Sequence, residues 1–413
     1  MSATASLTGP TRRLRLARAA VAALFLTNGA VFFNLVPRYP QVKADLGVSN
    51  TIFGTALAGY PIGALLAGLL AGAAIRRFRS ARVAAFGIVL TTAAMLTVPF
   101  APNWFAFGCA LFAAGALDAI VDVAQNAHGL RVQRLYRRSI LNSLHGLWSV
   151  GAVIGGLMGS AAAGVRMPLA LHLGISAVLF SLVAVAAYRF LLPGPDDAER
   201  AERAEPQDLP GDRRAAPPAR PEGRRQASGA AVRMLAALGV LAACGALVED
   251  AGASWGALFL SGDLGAHAAV AGLAVVAFQT AMTVGRLTGD RVVDRFGQRT
   301  VVRAGGVLAA AGMGAALAVP STATVLAGFA LAGLGVATLV PAAMHTADEL
   351  PGLSSGTGLT VVSWLLRGGF LLSPLLVGAV ADLAGLRVGL LSVVVAGVVT
   401  AVLARVLVNR SSG

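Results

Sequence analysis

Residues 115–129 read GALDAIVDVAQNAHG and place Asp118, Asp122, Gln125 and Asn126 at i, i+4, i+7 and i+8. On a helix that spacing lines them up along one stripe. Two carboxylates one turn apart can take up and release protons, and they resist being ionised together. The amides beside them can hydrogen-bond a hydroxylated solute. Asp122 is the expected proton-coupling group, and Asp118 the neighbour that tunes it. Downstream, Asn142, His145 and Ser149 share a helix face, and histidine titrates near neutral pH. Trp148, Trp255 and Trp364 offer rings that stack on a sugar or anchor at an interface. Glu249 and Asp250 are adjacent, so they point about 100° apart on a helix and at most one squarely faces a given cavity. Arg367 can pair with either of them, as a structural lock or as a site for an anionic or hydroxylated solute. Asn34 and Gln279 are further polar candidates for solute contact.

These groups stand in a chain that is otherwise apolar. Its 413 residues are 56% hydrophobic and 13% charged, with mean hydropathy +0.75, which is too apolar for a soluble protein of this length. Crossing a hydrocarbon layer takes about 20 helical residues. Twelve such windows occur near 18–37, 52–74, 83–101, 104–128, 140–163, 168–191, 234–260, 268–289, 301–319, 323–345, 357–380 and 386–408. The expected class is therefore an all-α membrane protein, because a lipid-exposed sheet edge cannot satisfy its backbone. Counting from Trp104 to Arg131 puts Asp118 near the midplane and Asp122 one turn nearer the arginines. A charged carboxylate at that depth costs roughly 2.5–3.5 kcal/mol on insertion scales. It therefore implies a water-filled cavity or a bound proton.

The net charge of +14 is decided by its distribution. Arg38, Lys43, Arg166 and Arg387 fall on one side and Arg286 and Arg367 within spans; all the other basic residues fall on the side of the amino terminus. This is the positive-inside pattern of a multi-pass membrane protein with both termini cytoplasmic, and it gives no reason to expect nucleic acid. Cys109 and Cys244 lie inside spans and make no disulfide framework. The five histidines lack metal-ligand spacing, and the single lysine, Lys43, stands in no phosphate-binding loop. Neither a metal, a cofactor, an ATP-driven pump nor an enzyme is expected.

Residues 193–230 hold seven prolines and almost no large apolar side chain, the composition of an unstructured connection. They divide the chain into a tail (1–17), a six-helix bundle (18–192), the connection, a second bundle (231–408) and a tail (409–413). The bundles repeat at a constant offset of 218. Asp45, Gly47 and Gly54 align with Asp263, Gly265 and Gly272, Arg77 and Phe78 with Arg295 and Phe296, Gly115 with Gly333, and Gly151 with Gly369. Val336 and Val340 stand where the first half has Asp118 and Asp122. A purely architectural need for the carboxylates would recur in both halves. Two parallel six-helix repeats are the build of a rocking secondary transporter.

The second half contains GRLTGDRVVDRFGQR at 285–299, which resembles the signature loop of the major facilitator superfamily. Asp294, Arg295, Gly297 and Arg299 fit that loop. Its first-half counterpart, GAAIRRFRSAR at 72–82, has Arg76 in the Asp position and Arg79 in the Gly position. The stretches DVAQNAHG, LHGLWSVGAVIGG and SWGALFL look like a bacterial MosC-like branch. GAVIGG is also similar to an antiporter motif of the superfamily, with Ala152 replacing its proline. The resemblance implies twelve helices in two six-helix repeats, alternating access and a monomer. It further implies a gating set of Arg286, Asp290, Asp294, Arg295, Gly297 and Arg299, in which Asp294 latches to Arg286 or Arg295 in the outward-open state. The expected function is proton-coupled secondary transport of a small polar solute, sugar-like or a related metabolite. The alternatives are a proton-driven drug or metabolite exporter, and a non-transporting sensor on the same fold.

Overall fold

A computed structural model describes residues 11–136, 140–194, 196, 229–350 and 357–407. Among the described residues, twelve helices are long and apolar enough to cross a membrane: α1 (Arg12–Leu46), α2 (Asn50–Gly68), α3 (Ser80–Phe100), α4 (Trp104–Tyr136), α5 (Leu141–Gly164) and α6 (Leu169–Tyr188), then α7 (Ala231–Gly262), α8 (Ala268–Phe296), α9 (Gln298–Ala318), α10 (Thr322–Asp348), α11 (Thr357–Ala384) and α12 (Leu386–Val406). The described residues contain no strand.

Several ends differ from the hydropathy reading, for local reasons. Helix α1 already begins at Arg12, capped by the Thr11 hydroxyl, so part of the expected tail is helical. It tightens into a 3-10 turn at Val36–Arg38, where Pro37 has no N–H to give, and runs on to Leu46. Helix α2 stops at Gly68, and a separate short helix, Ala71–Phe78, follows it. Helix α4 continues to Tyr136, well past the expected residue 128. Its extension brings Arg131 onto the carbonyls of Leu192, Pro193 and Gly194, the Pro193 contact being 2.9 Å. Helix α10 breaks at Ala337–Thr338, just ahead of Pro341.

The connection between the halves is also tied down at its start. Asp196 accepts from the Ser80 backbone N–H at 2.8 Å and from the Ser80 hydroxyl. Ser80 Oγ in turn lies 2.9 Å from His128 Nδ1, and His128 Nε2 accepts the Leu192 N–H at 3.2 Å. Pro193, Gly194 and Asp196 are therefore part of the first bundle's basic end. The expectation of an unstructured connection falls, for residues 195 and 197–228, outside the described residues, as do the tail 409–413 and the first residues of the chain.

The repeat is visible in the packing. Helices α1 and α5, α2 and α4, α3 and α4, and α3 and α6 pair in the first half; α7 and α11, α8 and α10, α9 and α10, and α9 and α12 pair in the second. The closest approaches keep the same offset: Gly115 sits on the Tyr60 carbonyl and Gly333 on the Phe278 carbonyl, with no room for a Cβ at either. The loop after the second helix of each half turns the same way, at Arg79 (φ 75°, ψ 147°) and Gly297 (φ 81°, ψ 147°). Arg77 over Phe78 (5.4 Å) and Arg295 over Phe296 (5.5 Å) match as well. The two halves meet through α2 against α11 and α5 against α8.

Candidate functional site

Between the halves, the side chains that could do chemistry come from α4, α5 and α11. Asp122 lies on α4 with its carboxylate accepting from Asn126 Nδ2 at 3.1 Å. It faces His145 of α5 and Arg367 of α11 as charge partners. The Arg367 guanidinium reaches across to the other half, against Gly68 of α2. His145 Nδ1 lies 3.1 Å from the Leu141 carbonyl, and its ring meets Phe25 edge-on at 5.3 Å. A carbonyl oxygen only accepts, so that bond places a proton on Nδ1. Asp122 and Arg367 are exposed although they sit well inside their spans, and His145, one turn into α5, is exposed as well. Groups facing one another between the halves and still open to solvent define a water-accessible interior.

One turn deeper, Asp118 is half-buried and is met by Tyr60 of α2 and Asn28 of α1. Nothing in the local sequence marked Tyr60 or Asn28, because their approach depends on how α1 and α2 cross α4. Trp148 of α5 is half-buried, its ring 6.0 Å from Phe33.

Other candidates turn away from this interior. Gln125 is fully buried, its amide on the Leu24 carbonyl at 3.2 Å, so the stripe read from the spacing splits and Gln125 faces α1. Asn34 is held by Ser176 (2.6 Å) and His172 (2.9 Å) of α6. Gln279 is fully buried in α8. Among the tryptophans, Trp255 is fully buried against Phe53, whereas Trp364 is 51% exposed.

The second half holds its charges differently from the expected pairing. Glu249 receives Arg286 Nη2 at 3.3 Å, while Arg367 is directed to the first half. Asp250 is half-buried and accepts from Ser254 Oγ at 3.1 Å. Arg286 is thus engaged within its own half in this conformation. The other members of the expected gating set, Asp290, Asp294 and Arg295, are exposed at the end of α8, and Arg299 binds the Leu407 carbonyl at 3.0 Å.

The two ends of the interior are unequal. At the end opposite the basic face, Asp382 of α11 accepts the N–H groups of Asn50 (2.8 Å) and Thr51 (2.8 Å), capping the first turn of α2. Gly54 packs on the Pro374 carbonyl, Gly378 on the Asn50 carbonyl, and Gly272 on Ser160 and Pro37. These close contacts shut that end. Outside them remains a cleft of about 520 Å³ with Lys43 and Asp263 on its walls, and partial burial pushes the Asp263 carboxyl above its ordinary value. Sequence reasoning missed Asp382; a lone acid near the end of a span carries no signal of the helix it caps. Asp122, His145 and Arg367 lie on the basic side of these contacts and are exposed, so the interior opens toward the basic face.

Comparison with known proteins follows this geometry. A family model described as Major Facilitator Superfamily matches residues 21–248 and 238–413. The chain is 32% identical over 396 residues to the membrane protein MosC of Rhizobium meliloti, covering 95% of this chain and 90% of that protein. It is 29% identical to an uncharacterized transporter, y4wD, of Sinorhizobium fredii, covering 96% and 99%. Its fold resembles the crystal structure of a bacterial homolog to the human lysosomal transporter Spinster, with TM-score 0.70 and 16% identity over 98% of this chain and 100% of that one.

Proposed function

We propose, from the premise that this chain belongs to the major facilitator superfamily and is a multi-pass membrane transporter, that it moves a small polar solute, sugar-like or a related metabolite, by alternating access coupled to protons. The observation that carries the reading is the Arg367 guanidinium reaching from α11 across to Gly68 of α2, within electrostatic reach of the Asp122 carboxylate, as is His145 of α5. An ionised Asp122 attracts Arg367 and so favours closing the basic end. In a wet cavity such a pair amounts to about 1–4 kcal/mol at close approach. A proton on Asp122 removes that attraction, and a solute between the halves replaces it with hydrogen bonds of its own. Proton and solute thereby act on the same closing motion, which is what coupling requires. Asn126, already bonded to Asp122, is the amide that would hold a hydroxylated solute beside the titrating group, with Trp148 of α5 as a stacking ring. Asp118, with Tyr60 and Asn28, forms the inner end of the same polar path.

The positive-inside rule assigns the basic end, with both termini, to the cytoplasm, so the conformation described above is inward-open. Asp294 then has its latching role in the opposite conformation, when the basic end closes.

The test is uptake of a panel of radiolabelled polyols, sugars and related metabolites into proteoliposomes, with and without an imposed pH gradient. Accumulation of one class that follows the gradient supports the reading. Gradient-driven expulsion assigns export instead. Transport of a panel member that ignores the gradient refutes proton coupling.

A further inference from the structure

A second concave site lies at the basic end, away from the transport path. It is a cavity of about 740 Å³ between the ends of α1, α3 and α6, lined by Arg12, Arg13, Arg79, Arg82, Arg189 and Tyr188. All five arginines are exposed. Arg82 Nε donates to the Tyr188 hydroxyl at 3.4 Å, which braces one wall. Backbone from Leu192 to Gly194, held by Arg131, contributes another. The lining includes no Asp or Glu among the described residues, and the nearby Asp196 carboxylate is bonded to Ser80. Leu16 (39% exposed) and Phe190 (49% exposed) supply apolar surface at its edge.

The positions 218 residues on from the five arginines are Ala230, Ala231, Gly297, Thr300 and Leu407, so the second half carries no cation at these five positions and sets its own arginines, among them Arg233, Arg299, Arg303 and Arg405, elsewhere. Arg79 is the sharpest case. It adopts φ 75° where the repeat has Gly297 at φ 81°, a left-handed conformation that glycine takes freely and arginine does not. An arginine held in this strained conformation therefore stands at the wall of the basic cavity.

We propose that this cavity binds the phosphate of an anionic phospholipid headgroup, with the acyl chains passing over Leu16 and Phe190. Guanidinium groups pair with phosphate oxygens in a bidentate fork. Basic pockets between helix ends at the membrane surface suit lipid headgroups, and each arginine near such a surface strengthens binding about fivefold.

Native mass spectrometry of the full chain in detergent, titrated with phosphatidylglycerol or phosphatidylcholine, tests this. Wild type should retain phosphatidylglycerol preferentially. The double variant Arg79→Gly/Arg189→Gln should lose about tenfold or more of that retention, and Arg303→Gln, which removes an exposed cation outside the cavity, should lose none. Arg79→Gly alone should unfold no earlier than wild type in lipid-free detergent, which separates lost binding from lost folding; Arg12→Gln/Arg13→Gln gives an independent loss of retention. Equal retention of the two lipids by wild type, or equal loss in Arg303→Gln, would overturn the site. Displacement of phosphatidylglycerol by millimolar inorganic phosphate would show a soluble-anion site and overturn the lipid assignment.

Discussion

Replacing Asp382 with alanine should release the end of the transporter that is closed here. Its two oxygens accept the Asn50 and Thr51 N–H groups at 2.8 Å each, so one carboxylate on α11 satisfies two orphan donors at the start of α2 in the other half. Hydrogen bonds to a charged group contribute about 1.5–3 kcal/mol when shielded, and an exposed charge at a helix N-terminus about 0.3–1 kcal/mol. Asp382 is exposed, which places the latch at the low end, about 1–2 kcal/mol in all. At 1.36 kcal/mol per factor of ten, its loss shifts the balance toward opening of that end by about 5–30-fold. Asp382→Asn keeps one acceptor and should shift it by only about 2–5-fold. The readout is the distance between spin labels at Val165→Cys and Val319→Cys, which are 72% and 71% exposed near the closed end, one in each half. Cys109 and Cys244 would be replaced by serine in that background, and the labelled protein reconstituted in liposomes. The long-distance population should grow in the order wild type, Asp382→Asn, Asp382→Ala. An unchanged distribution in Asp382→Ala, or an equal shift in Asp45→Ala, an exposed acid at the same end, would refute the latch.

Four further outcomes are expected. Asp122→Asn should abolish gradient-driven accumulation in proteoliposomes while solute exchange continues, since the amide imitates the protonated acid; accumulation with an unchanged pH profile would move the proton site to Glu249 or Asp250. Asp294→Asn should impair transport more than Arg76→Ala at equal membrane abundance, because only the second half has an acid in that loop position. Gly115→Ala and Gly333→Ala should each destabilise by about 1–3 kcal/mol, read as similar drops in melting temperature, whereas Gly174→Ala, whose Cβ would meet nothing, should leave it unmoved. A double-mutant cycle on Glu249→Gln and Arg286→Gln should give a coupling of about 0.5–1 kcal/mol in thermal unfolding, since the partners are 17% and 34% exposed.

The sequence by itself determined the number of spans, their division six to six and the 218-residue repeat. Each of these rests on a property read along the chain: a run of apolar residues long enough to cross hydrocarbon, or like residues at a constant offset. It also marked Asp122, Asn126, His145 and Arg367 as polar groups that an apolar helix does not need. The tertiary structure decided which of them meet. Arg367 reaches the first half and Glu249 takes Arg286 instead; Gln125 and Asn34, polar like their neighbours, are turned into helix contacts; and Tyr60, Asn28 and Asp382 enter roles that no local pattern announced. Helical period says which residues share a face. The rotation of that face, and the helix it meets, are set by the small-residue contacts that fix each crossing, such as Gly115 on the Tyr60 carbonyl and Gly54 on the Pro374 carbonyl. Those contacts join residues far apart in the chain, and two helices of equal hydropathy can satisfy them in many ways until both backbones are in place.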